Sequence, residues 1–126
     1  MIVSTGIDLI EVSRIEKIIV RYPKFINRIY TKTESDYCRS RGRQAAQSFA
    51  ARFAAKEAFL KALGTGLRGN ITWQQIEIVA DRLGAPKIRL YDYAAEAVAK
   101  LGVSAIHLTL SHTKDFAIAQ VILESE

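Results

Sequence analysis

The sequence predicts an α+β domain built on an antiparallel sheet, and three observations carry that prediction. The runs "SAIHLTLSH" and "FAIAQVIL" are strongly β and meet at about Thr113–Asp115, so they read as a hairpin. A second pair of runs, Ile76–Ala80 and Pro86–Leu90, flanks a turn at Gly84. Helical patterns lie among these mostly hairpin-connected strands, a mixture that argues for an α+β domain with an antiparallel sheet.

The individual elements follow in order. Ile2–Val12 reads as a strand with Val3, Ile7 and Leu9 on one face and Ser4, Gly6 and Asp8 on the other. Ser13 and Glu16 have the S-x-x-E spacing of a capping box and open a helix to about Arg21, where Pro23 stops it. Its apolar stripe is Ile15, Ile18 and Ile19; Arg14, Lys17 and Arg21 lie opposite, followed by Lys24 and Arg28. Thr33 caps a short helix to Arg39, and "RSRGRQ" is a basic loop around Gly42. The longest helical pattern, Gln44–Leu63, ends at Gly64 and Gly66, residues suited to the left-handed positions past a helix C-terminus. Tyr91–Leu101 is an alanine-rich helix stopped by Gly102.

The chain has 126 residues, room for a single domain spanning 1–126, and its 49% apolar and 25% charged composition is that of a folded protein. One cysteine, Cys38, excludes an internal disulfide and, with only two histidines, makes a structural zinc site improbable. Neither a signal peptide nor a membrane-spanning run is recognisable, so a cytoplasmic protein without membrane association is expected. The net charge of +5 points to an anionic partner or substrate, nucleic acid included.

The chemistry centres on "FAAKEAFLKALGTG", where Lys56 and Glu57 interrupt a core-like helix. On a helical wheel Lys56 falls inside the arc of Phe49, Phe53, Leu60 and Leu63, with Glu57 at its flank. Either Lys56 snorkels to water and Glu57 pairs with Lys61 at i, i+4, or the helix lines an anionic cleft where Glu57 holds a metal and both lysines face phosphates. Asp8 is a second acid in an apolar setting, on the strand face that carries Gly6, whose missing side chain admits close approach. Two carboxylates cannot cage calcium but suit magnesium, which completes its octahedron with waters and substrate phosphate oxygens. His112 is more simply an edge residue of its strand than a catalyst, and no triad spacing or P-loop is present. Trp73 and Tyr91 read as packing residues.

The segments "GIDLIEVSRIEK", "RFAAKEAFLKALGTG" and "LTLSHTKDFAIAQV", in this order, resemble the bacterial holo-acyl-carrier-protein synthases of the phosphopantetheinyl transferase superfamily over essentially the whole chain. The resemblance implies a homotrimer with active sites between subunits. It implies transfer of 4′-phosphopantetheine from coenzyme A to a serine of apo-acyl carrier protein, releasing adenosine 3′,5′-bisphosphate, in fatty acid biosynthesis. By motif, Asp8 and Glu57 are the expected magnesium ligands, and Lys61 stabilises charge on the leaving group. Arg52, Lys56, Gly64 and the segment Ser111, His112, Thr113 are expected to help bind coenzyme A. Arg14, Ile18, Arg21, Lys24, Phe25 and Arg28 form the expected docking face for the acidic carrier protein, with charges steering and apolar groups in contact.

Overall fold

A computed structural model describes residues 1–126. Strand β1 (Ile2–Glu11) leads into helices α1 (Val12–Arg21), α2 (Lys24–Ile29) and α3 (Lys32–Ser40). A 3-10 turn at Gly42–Gln44 precedes the long helix α4 (Ala45–Leu63), and a second, Trp73–Gln75, enters β2 (Ile76–Ala80). Strand β3 (Pro86–Leu90), helix α5 (Asp92–Lys100) and strands β4 (Val103–His112) and β5 (Phe116–Ser125) complete the chain. The strands form two antiparallel sheets, one ordered β1-β5-β4 and the other the hairpin β2-β3. The α+β class and both hairpins are therefore as expected.

Two helix starts differ from the sequence reading. Glu11 occupies the N-cap of α1 and no side chain caps it, so Ser13 and Glu16 form no capping box. The capping box lies instead at α3, where Thr31, not Thr33, accepts from the Glu34 amide while the Thr31 amide donates to Glu34 Oε1. Helix α2 begins directly after Pro23, a residue whose fixed φ ends one helix and suits the first turn of the next. The "RSRGRQ" loop is partly a 3-10 turn.

Helix α4 lies on the inner face of the three-stranded sheet. Its alanines Ala50, Ala51, Ala54, Ala55, Ala58 and Ala62 are buried, and so are Phe49, Leu60 and Leu63, so the helix is enclosed on nearly every side. Small residues on this helix allow close approach of β1. Gly6 sits against it so tightly that a Cβ there would lie 2.0 Å from the Ala58 carbonyl oxygen, and Ser4 Oγ donates to the Ala62 carbonyl at 2.6 Å. Register then carries the inner face along: Gly6 pairs with Val121 and Asp8 with Ala119, both buried. The opposite face of the sheet exposes Ile7 (55%), Leu9 (62%) and Phe116 (45%).

Candidate active site

The close seating of β1 on α4 brings three of the expected residues together. Asp8 projects from the inner face of β1, and Lys61, one helical turn past Glu57 on α4, donates to Asp8 Oδ1 at 3.0 Å and to the Ile7 carbonyl at 3.0 Å. The side chain of Asp8 is 16% exposed and that of Lys61 54%, so the pair sits at an open mouth with the acid recessed. Glu57 is half-buried beside it. Burial first, and the Asp8 charge second, push the Glu57 carboxyl above the usual carboxylate range, while Lys61 and Arg14 pull it back. The i, i+4 pairing of Glu57 with Lys61 is not the contact made: Lys61 reaches across to β1.

A cleft of 420 Å³ opens here, lined by Glu57, Leu60, Lys61, Gly64, Gly66, Leu67 and Trp73. Gly64 is where the helix stops, at φ +85°, a conformation that lets the chain turn sharply along the cleft wall. Trp73 stacks on Phe53 with ring centroids 5.4 Å apart, as its packing role requires, and also walls the cleft. Trp73 and Leu67 are the wall residues that motif reading passed over, since neither carries charge. The donor set fits magnesium: hard carboxylate oxygens only, two of them recessed and mutually repelling, with a cation alongside and open space for phosphate oxygens.

Lys56 must be corrected. It is fully buried, and its ammonium spends all three protons within the fold, on Glu34 Oε1 (2.7 Å), the Ile29 carbonyl (2.8 Å) and the Trp73 carbonyl (3.1 Å). It neither snorkels to water nor faces phosphates. Burial pushes its pKa down and the Glu34 charge opposes that shift.

Two other expected groups lie away from the cleft. Arg52, buried on α4, holds Ser48 Oγ at 3.2 Å and lies 4.2 Å over the Tyr37 ring; its Nε has no partner. Ser111, His112 and Thr113 line a separate 300 Å³ cavity with the outward-facing Leu9 and Ile118 and with Phe116. Within one chain, neither group lines the Glu57 cleft.

The residues expected to dock the carrier lie at the α1–α2 corner. Ile18, Lys24, Phe25 and Arg28 line a groove of 740 Å³ with Tyr22 and Asn27, while Arg14 and Arg21 are exposed on α1. Asn27 and Arg28 also line a second cavity of 460 Å³ whose walls include Leu67 and Trp73, so the groove leads toward the Lys61 cleft. No helix is long and apolar enough to cross a membrane.

An α+β frame with an acid pair and a lysine at the mouth of an open cleft is the arrangement of a group-transfer enzyme. Residues 4–121 match the family model described as the 4′-phosphopantetheinyl transferase superfamily, and the chain belongs to that family. Among its relatives, holo-[acyl-carrier-protein] synthases of Geotalea daltonii and Koribacter versatilis are 46% and 47% identical, each over 98% of this chain and 99% of the relative. The crystal structure of the Neisseria meningitidis holo-[acyl-carrier-protein] synthase superposes with TM-score 0.90 at 33% identity, covering 99% of this chain and 100% of that one. The Bacillus anthracis synthase, solved in complex with CoA (3′,5′-ADP), gives TM-score 0.82 at 39% identity, covering 100% and 99%.

Proposed function

We propose that the chain transfers the 4′-phosphopantetheine moiety of coenzyme A to a serine of apo-acyl carrier protein, in the cytoplasm and in the service of fatty acid biosynthesis. The observation that carries this reading is the Asp8–Lys61 pair beside Glu57 at the mouth of the cleft. The family match and the relatives' names support it. A nucleic-acid partner has no such support, because the two acids at the cleft would repel a phosphate backbone.

In the proposed reaction the serine oxygen forms a bond to the phosphorus that bears the pantetheine arm. The bond from that phosphorus to the bridging oxygen breaks, and adenosine 3′,5′-bisphosphate leaves. Asp8 and Glu57 would hold magnesium, which neutralises the pyrophosphate oxygens when bound. Lys61 stands where negative charge gathers on the leaving group, already oriented by Asp8 and the Ile7 carbonyl, so little reorganisation is needed during transfer. The serine proton passes to Glu57 or to water beside it. Incubation with apo-acyl carrier protein, coenzyme A and magnesium is expected to add one phosphopantetheine mass to the carrier, and EDTA to prevent it. No added mass with any divalent ion would overturn the assignment.

The α1–α2 corner is the proposed carrier-protein surface: exposed cations ring an apolar groove that leads to the cleft. Because the Arg14 charge acts on Glu57 directly, a reversal there would mix docking with chemistry, and Arg28 is the cleaner probe. Arg28→Glu is expected to raise KM for carrier protein about ten-fold at low salt, with less effect as salt increases. An unchanged KM would remove this corner from the interface.

The exposed apolar face of the three-stranded sheet supports assembly as a homotrimer. Copies joined through that face would bury Ile7 and Leu9 and place the neighbouring Ser111–Thr113 cavity at the junction between subunits, where those residues would serve coenzyme A bound to another copy. Arg52, with its unpartnered Nε, is kept as a candidate phosphate contact. Light scattering should give about three times the chain mass, and Ile7→Lys, which a lone chain tolerates at an exposed position, should lower it. A wild-type mass equal to one chain would exclude the trimer.

A further inference from the structure

Lys56 adjoins Glu57 in the chain yet points the other way, and what it touches is specific. Its three hydrogen bonds go to three different elements: the Ile29 carbonyl ends α2, Glu34 belongs to the first turn of α3, and the Trp73 carbonyl opens the 3-10 turn before β2. Glu34 extends the connection, accepting from the Ile78 amide of β2 at 2.8 Å and from the Thr31 amide at 2.9 Å. Both side chains are 0% exposed. The turn and α2 are also joined to each other, because Gln74 Nε2 donates to the Tyr30 carbonyl at 3.0 Å and to the Asn27 carbonyl. Two buried polar links fasten that joined pair to α4: the Tyr30 hydroxyl, which donates to the Phe49 carbonyl at 2.8 Å near the start of the helix, and Lys56, the one that lies beside Glu57.

The fastened elements are the ones that shape the route from docking groove to cleft. Helix α2 contributes Lys24, Phe25, Asn27 and Arg28 to the groove, and Trp73 walls both the intermediate cavity and the cleft. Helix α4 contributes Glu57, Leu60 and Lys61 to the opposite wall of the cleft. Apolar packing alone could hold these segments together, but it sets position loosely along a smooth alanine-rich helix. A buried ammonium with three fixed acceptors sets it at one point, and shifting α2 or the turn would leave a charge unsatisfied.

We propose that Lys56 and Glu34 form a buried positioning pair that fixes the carrier-docking helix α2 and the Trp73 wall relative to the catalytic face of α4. This rests on the reading of the α1–α2 corner as the carrier surface. Lys56 is a positioning residue, since its three protons are all spent on acceptors within the fold and its side chain is buried.

The test uses Lys56→Met combined with Glu34→Gln in the full chain, because Lys56→Met alone would strand a buried carboxylate and endanger folding. The double variant is expected to fold by circular dichroism, with faster amide exchange in residues 24–30 and 71–76 than in the wild type. KM for carrier protein should rise about ten-fold and KM for coenzyme A by a clearly smaller factor, since of the coenzyme A cleft only the Trp73 wall is loosened. A folded double variant with wild-type exchange in those segments, or with an unchanged carrier KM beside a responsive Arg28→Glu, would overturn the proposal. So would a double variant that cannot fold, because the pair would then serve the fold as a whole. If Arg28→Glu leaves the carrier KM unchanged, the docking reading fails separately, and the exchange measurement alone decides the positioning claim.

Discussion

Glu57→Gln is expected to yield a folded protein that is more heat-resistant than the wild type without metal and transfers phosphopantetheine at least about 10²–10³-fold more slowly. The activity loss follows from removing one of two carboxylates that would hold magnesium, at a site with no third acid or histidine to replace it. The stability gain follows from the raised pKa of Glu57, caused by burial and then by Asp8. A carboxyl whose folded pKa exceeds its unfolded one contributes stability below the unfolded value, and that contribution is lost as pH rises through the folded value. At neutral pH the wild type has lost it, whereas the uncharged amide retains it. Because Glu57 is only half-buried, water screens much of the effect, and Tm should rise by only about 1–3 °C at pH 7.5. The difference should shrink toward zero as pH falls below about 4. Near-normal turnover would show that the metal site lies elsewhere; a Tm below the wild type across this range would show that Glu57 is held by a favourable contact.

Much of this arrangement is legible in the sequence. The β runs with turn residues between them specify both hairpins, and the helix ended by Gly64 is long enough to be recognised whatever its exact start. Asp8 and Glu57 stand out because ionisable groups in apolar segments need a reason. Lys61 stands out with them, but a wheel offers it only Glu57 at i, i+4 or an anion in a cleft, and cannot show the strand lying across it. The contacts of Lys56 escape the sequence for a related reason. Periodicity established that its direction was costly but could not show Glu34, which is 22 residues away in sequence. The T-x-x-E spacing of Thr31 and Glu34 was available as a signal for the α3 cap, yet the neighbouring Thr33 and the S-x-x-E at Ser13 are equally plausible by spacing, and chain geometry decides among them. The two faces of β1 show the same limit. Val3, Ile7 and Leu9 lie on the exposed face, while the inner face, matched to the close approach of a helix, uses Ser4, Gly6 and Asp8 before Ile10 joins the core.

Gly6→Ala should therefore be among the most damaging small substitutions in the chain, destabilising it by about 2–4 kcal/mol. The added methyl carbon would meet Ala58 O at 2.0 Å, Ala62 N at 2.7 Å and Ala58 C at 3.0 Å, all main-chain atoms that no rotamer change can move. Strand β1 would have to withdraw from α4, weakening the Ser4–Ala62 hydrogen bond on one side of the contact and parting Asp8 from Lys61 on the other. Thermal melting should show the stability loss. An assay at a temperature where the variant remains folded should still show weaker magnesium activation, because Asp8 and Glu57 sit on the two elements that have moved apart. A companion substitution distinguishes this cause from ordinary crowding of side chains. Ala58→Gly removes a methyl but leaves the Ala58 carbonyl oxygen in place, so the Gly6→Ala/Ala58→Gly protein should be no more stable than Gly6→Ala alone. Recovery of the wild-type Tm in that double variant, or a Gly6→Ala protein melting within about 1 °C of the wild type with normal magnesium activation, would refute a backbone-to-backbone contact as the device that sets the site.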